Sequence, residues 1–156
     1  MTRTTAPRIV PLLRESYLAA IKNSASSKTF KNFFATVDGK RQDILKDGKL
    51  SCAFFVSFVL FHFGLLKKPH TTVEGTVKDM ENSGWEKTRM SRPGNVLVWE
   101  AENDDDSERH AHIGFDLGNG KAISNSSKKR MPVIHSRTFG GKRKIVAMYQ
   151  HPSAST

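Results

Sequence analysis

Cys52 is the only cysteine among 156 residues, and it stands directly before the most apolar run of the chain, Ala53-Phe54-Phe55-Val56-Ser57-Phe58-Val59-Leu60. A thiol in the first turn of a buried helix meets unpaired backbone N–H groups and the positive end of the helix dipole. Both favour thiolate over thiol. A lone cysteine can equally be a small buried hydrophobe, so the chemistry depends on what accompanies it. A thiol nucleophile needs a base within hydrogen-bond reach, and the base needs an orienting group. The chain offers six histidines, His62, His70, His110, His112, His135 and His151. His62 falls inside the apolar run, His70 follows Pro69 in a loop-like stretch, and His151 lies near the last residues. His110, His112 and His135 remain, all in segments with strand character.

His112 opens His112-Ile113-Gly114-Phe115-Asp116-Leu117-Gly118-Asn119-Gly120. Strand alternation puts His112, Gly114 and Asp116 on one face and Ile113, Phe115 and Leu117 on the other. Gly114 would leave space beside the imidazole. Just upstream lies an acidic run with Asp104-Asp105-Asp106 at its centre. Carboxylates there would favour imidazolium and raise a neighbouring histidine. The run lacks the alternating spacing, glycine and terminal glutamate of an EF-hand loop, so it reads as a solvated hairpin tip. His110, His112 and these aspartates also show no three-ligand metal spacing, so no cofactor or metal is expected.

The elements that must position these groups divide the chain in two. Leu12, Leu13, Tyr17, Leu18, Ala20 and Ile21 recur at helical spacing after Pro11, and Phe30, Phe33 and Phe34 suggest a second short helix. Val37-Asp38-Gly39-Lys40 is a turn. A buried helix is expected from Cys52 to Phe63, stopped by Gly64. Residues 69–77 read as mostly loop, with a short helix near Thr76–Asn82. After Trp85 the period shortens towards two. Strands are expected at Val96–Glu100, His112–Leu117, Ala122–Asn125, Val133–His135 and Ile145–Tyr149. Asn119-Gly120 marks a tight hairpin between the second and third. This predicts a single α+β domain, with a helical part over residues 1–49 and a core over 50–150 built on a roughly five-stranded antiparallel sheet.

Composition bounds the partners. One cysteine excludes an intramolecular disulfide and a multi-cysteine zinc site. The formal net charge is +10, and from Lys121 to Thr156 there are eight Lys or Arg and no Asp or Glu. Such a face suits an anionic polymer, or serves only as a solvated surface. No RNA-binding aromatic signature or helix-turn-helix pattern accompanies it, which leaves nucleic acid a minor reading. Met1–Pro11 has no continuous apolar segment of the signal-peptide kind, and residues 52–63 are too short to span a bilayer. The expectation is a soluble protein, either cytoplasmic or exported by a route the sequence does not display.

Three segments occur in order: Ser51-Cys52-Ala53-x-Phe55-Val56-Ser57, Arg92-Pro93-Gly94-Asn95-Val96-Leu97-Val98-Trp99, and His112-Ile113-Gly114-x-x-Leu117-Gly118-Asn119-Gly120-Lys121-Ala122-Ile123-Ser124-Asn125-Ser126. Together they resemble the NlpC-type cysteine peptidases and the related CHAP-like amidases, over roughly residues 50–150. The resemblance implies a papain-like fold and amide hydrolysis, with peptides or peptidoglycan as substrate. Cys52 would be the nucleophile and His112 the base, and the backbone N–H of Cys52 would contribute to an oxyanion hole. Ser51-Cys52-Ala53 stands where the family usually has Asp-Cys-Ser, and Asn95 where Pro-Gly-Asp is usual. The Tyr and Gly-Gly segment often found upstream, which helps shape the family's substrate cleft, is missing.

The third member of the site depends on register. Ser124 matches the family's usual histidine, and Asn125 is chemically closer to a Cys-His-Asn arrangement. With a two-residue Asn119-Gly120 turn, Gly118 pairs with Lys121 and Gly114 with Asn125, which brings Asn125 onto His112's face. One extra residue brings Ser124 there instead. Asn125 is the expected partner and Ser124 the alternative. A non-catalytic module holding an anionic polymer and an acyl transferase or thioesterase are the competing functions. A Cys52–His112 pair predicts alkylation by iodoacetamide well below pH 8, which a core cysteine would resist.

Overall fold

The computed structural model describes residues 5–103 and 108–155. The Asp104–Asp106 run, and with it the metal and loop readings placed there, lies outside the described residues.

Helix α1 (Leu13–Asn23) buries Tyr17 and Ile21 along one side. The Tyr17 hydroxyl donates to the Gly94 carbonyl at 2.8 Å, fastening the helix to the turn that launches the sheet. The expected second helix is not formed. Instead β1 (Phe34–Val37) and β2 (Lys40–Asp43) make an antiparallel hairpin. Its turn residues Asp38 and Gly39 have φ of 49° and 76°, the left-handed pair that a tight hairpin requires. Phe34, Thr36 and Val37 favour the extended chain. Phe30 instead enters the core against Phe55, ring centroids 4.9 Å apart.

Helix α2 (Cys52–His62) is apolar almost all round, as befits a helix enclosed by other elements. Its N-cap residue, Ser51, makes no side-chain cap bond. Helix α3 (Val73–Asn82) begins inside the stretch read as loop, at Thr72, whose hydroxyl accepts the Gly75 N–H at 3.1 Å.

The main sheet contains β3 (Glu86–Lys87), β4 (Val96–Asn103), β5 (Arg109–Gly118), β6 (Lys121–Ser126), β7 (Met131–Ser136) and β8 (Ile145–Gln150), in the order β3-β8-β4-β5-β6-β7. Every pairing is antiparallel. Among the described residues it is six-stranded. The short strand β3 escapes sequence reading because two residues carry no alternation. A short helix α4 (Pro152–Ser155) follows. The α+β class holds. No helix of the described residues is long and apolar enough to cross a membrane.

The sheet is apolar on both faces. Val96, Val98, Ile113, Phe115 and Ile123 join α1 and α2 in the main core, where Phe55 meets Phe115 edge to face at 5.4 Å. Leu97, Trp99 and Ala122 form a second cluster on the other face, against Phe139, Ile145 and Met148.

The hairpin between β5 and β6 fixes the site. Gly118 does pair with Lys121, but the next pair is Asp116 with Ala122, followed by Phe115 with Ile123 and Gly114 with Ser124. Leu117 is therefore an extra residue in β5, a bulge. The Asp116 carboxylate accepts the Gly118 N–H at 2.8 Å across it. The bulge brings Ser124, not Asn125, onto His112's face. This corrects the register drawn from turn length alone.

Candidate active site

The apolar α2 lies against β5 and β6, and this packing carries its first residue to the middle of β5. The backbone N–H groups of Ile113, of Ala53 and of Cys52 itself favour the thiolate there. Burial nevertheless raises the thiol above its ordinary value of 9.0, and these N–H groups and the charge of Arg143 only partly offset the effect. The helix terminus is present as expected, but loss of water outweighs it.

His112 sits one residue before Ile113 on β5. Its Nε2 is 2.8 Å from the Ser124 hydroxyl, and that hydroxyl is 2.7 Å from Nε2 of His135 on β7. His135 in turn directs Nδ1 at the Ser136 carbonyl, 2.7 Å away. Sheet geometry explains how one hydroxyl reaches two imidazoles. Ser124 stands directly opposite Gly114 and Val133, whereas His112 and His135 are two residues along on the neighbouring strands. Both histidines are thus its diagonal neighbours, within reach of a long side chain.

The space beside Gly114 is occupied. A Cβ there would lie 2.5 Å from the Ile123 carbonyl oxygen, 2.7 Å from the Ser124 Cβ and 3.1 Å from the Trp99 ring. The glycine lets Ser124 and Trp99 approach rather than leaving a void. Trp99 lies under both imidazoles, with centroids 5.4 Å from His112 and 5.7 Å from His135. Its Nε1–H donates to the Arg137 carbonyl at 2.8 Å. Phe139 stacks on His135 at 4.0 Å and 16°.

Burial, the Arg143 guanidinium and His135 push the His112 pKa down to about 3. Burial also lowers His135, against the opposing bond to Ser136. The Asp104–Asp106 carboxylates expected to raise His112 lie outside the described residues, and among the described charges the cation of Arg143 lowers it. The acidic partner of the region meets His110 instead, with Glu108 3.3 Å from its Nε2. Arg143 is held by the carbonyls of Glu100 and His110, at 3.0 and 2.9 Å.

Cys52, His112, Ser124, Asn125, His135 and Arg143 all line one cleft of about 970 Å³. Asn125 has a different role from the one expected. Its Nδ2 donates to the Gly48 carbonyl at 2.8 Å, tying the segment before Cys52 to β6, while its Oδ1 is buried without a hydrogen-bond partner. Neither Arg143 nor the link from Ser124 to His135 was anticipated. The alternation of β7 could have pointed to His135, since Val133 and His135 share a face, but Arg143 belongs to a loop with no periodicity. Another histidine–carboxylate pair, His70 with Asp79 at 2.7 Å, pins the loop before α3 to that helix. Among the described residues, no three His, Cys, Asp or Glu side chains are grouped to hold a metal ion. No protein-family model matches the chain, and no curated protein matches it.

Proposed function

We propose that the protein is a thiol hydrolase that cleaves amide bonds, with Cys52 as nucleophile and His112 as base. One observation carries this reading: α2 packs on β5 so that Cys52, its first residue, and His112 line the same cleft. His112 engages Ser124 through Nε2, which leaves Nδ1 to serve the thiol.

The raised thiol and lowered imidazole favour a neutral resting pair. In the proposed reaction His112 Nδ1 takes the thiol proton as sulfur attacks the amide carbonyl, not beforehand. The C–N bond then breaks, the imidazolium returns its proton to the departing amine, and a thioester remains on Cys52. Water reverses the sequence: His112 takes its proton, the oxygen adds to the acyl carbon, the C–S bond breaks and the thiol is reprotonated. The first N–H groups of α2 have no partner within the helix and can donate to the developing oxyanion.

Resemblance to the NlpC-type peptidases and CHAP-like amidases supports a peptide amide of peptidoglycan as substrate, on a papain-like core. Acyl transfer would use the same nucleophile with another acceptor. An anionic-polymer module draws on the cations after residue 120. Among the described residues, three of those have acidic partners: Arg130 with Asp47 at 3.1 Å, Arg137 with Asp116 at 3.4 Å and Arg143 with Glu102 at 3.8 Å. That pairing favours the hydrolase.

The test is incubation with purified peptidoglycan and a peptide panel, read by mass spectrometry beside Cys52→Ala. New amide cleavage with the native protein alone is expected. Identical products from both proteins would refute the reading.

A further inference from the structure

We propose that His135 is a positioning residue that sets the tautomer of His112 through the Ser124 hydroxyl. The proposal deepens, and rests on, the reading of Cys52 and His112 as nucleophile and base.

Counting protons along the three contacts leads to this role. A backbone carbonyl can only accept, so the 2.7 Å contact between His135 Nδ1 and the Ser136 carbonyl requires the proton on Nδ1. The neutral ring then has a lone pair at Nε2. Ser124 has one hydroxyl proton, and across the 2.7 Å contact it must donate to that lone pair. Its oxygen is left to accept, so the 2.8 Å contact with His112 requires a proton on His112 Nε2. His112 Nδ1 therefore carries the lone pair a base needs. Every bond in the series takes its direction from the fixed carbonyl at its far end.

Without His135, the Ser124 hydroxyl is free to turn and donate to His112 Nε2. That would move the ring proton to Nδ1 and leave no lone pair for the thiol. A lone serine is thus an ambiguous orienting group, and His135 removes the ambiguity. Aromatic packing fixes both rings in the required orientation, with Phe139 stacked on His135 at 4.0 Å and Trp99 under both imidazoles.

The test uses the full chain with ¹⁵N-labelled histidine. Long-range ¹H–¹⁵N spectra of the native protein are expected to show His135 protonated at Nδ1 and His112 at Nε2. In His135→Phe, which keeps a ring against Phe139 but has no acceptor, His112 is expected to become a tautomer mixture. Alkylation of Cys52 by iodoacetamide and kcat on peptidoglycan should then both fall about three- to tenfold, the worth of one hydrogen bond, with KM unchanged. His135→Gln, whose amide oxygen can accept the Ser124 proton, should stay within about twofold of native. Ser124→Ala should match His135→Phe, and the double variant should be no worse than either. A native His135 protonated at Nε2, or an unchanged His112 tautomer and alkylation rate in His135→Phe, overturns the proposal. The native spectrum decides even if a variant fails to fold. The expected tautomers and alkylation rates without cleavage of peptidoglycan or of any peptide in the panel would overturn the hydrolase reading and leave the positioning role standing.

Discussion

Acid should unfold this protein in a way traceable to one ring. His112 has its pKa pushed down from 6.5 to about 3 in the folded chain by burial, Arg143 and His135. The unfolded chain therefore binds the proton first as pH falls. Stability from keeping the ring neutral is fully present above the unfolded value of 6.5, declines below it, and is lost down to about pH 3. Each pH unit inside that window corresponds to about 1.4 kcal/mol for a fully shifted group. Between pH 6.5 and 4 this would reach about 3 kcal/mol. Water reaches the ring from the cleft and reduces the effect to about 2 kcal/mol. Urea unfolding at pH 7 and pH 4 measures it, with His112→Gln as the comparison that cannot titrate. Native protein should lose about 2 kcal/mol more than His112→Gln over that interval. The whole-protein acid loss cancels in the difference, and so does the constant cost of the substitution. Equal losses would refute the claim that the fold holds His112 neutral.

Three shorter predictions concern the same region. Iodoacetamide alkylation of native Cys52 should be faster at pH 9 than at pH 6, because the thiol is held above its ordinary value; a rate already at its maximum at pH 6 would contradict a neutral resting thiol. Gly114→Ala forces a methyl against the Ile123 carbonyl and the Ser124 Cβ, at 2.5 and 2.7 Å, and should cost about 1–3 kcal/mol in urea unfolding. Its His112 tautomer signal should also change, because Ser124 has to move. Asn125→Ala removes the hydrogen bond to the Gly48 carbonyl and should cost about 1–2 kcal/mol. It should leave the His112 tautomer unchanged, whereas Ser124→Ala should alter it; the same tautomer change in both would contradict their separate assignments.

Much of the framework could be read from periodicity because each element announces itself locally. The apolar run after Cys52 is buried nearly all round, and the core strands sit within a few residues of their expected bounds. Phe30, Phe33 and Phe34 misled, because aromatics at helical spacing also suit a loop that feeds a hairpin. Phe30 faces the core and Phe34 begins β1. Of the candidate site, the sequence showed Cys52 at a helix start and the face of His112, which the fold brings to one cleft. Its third member was not legible, because register depends on the Leu117 bulge. That bulge is held by a contact from Asp116 to Gly118 that no alternation reveals. The pKa directions were missed for a different reason. Helix position and local charge are visible in sequence, but burial and the approach of Arg143 exist only once the chain is folded.

The strand order carries a further consequence. Cys52 and His112 sit against interior strands, yet His135 belongs to β7, the outermost strand beyond β6. Outer strands open at lower free energy than the centre of a sheet. The site therefore has two tiers of endurance. Mild warming that peels β7 away would leave Cys52 and His112, the proposed nucleophile and base, in place within an otherwise intact fold. The imidazole would then be free to hold its proton on either nitrogen, and competence would fade before the molecule melts.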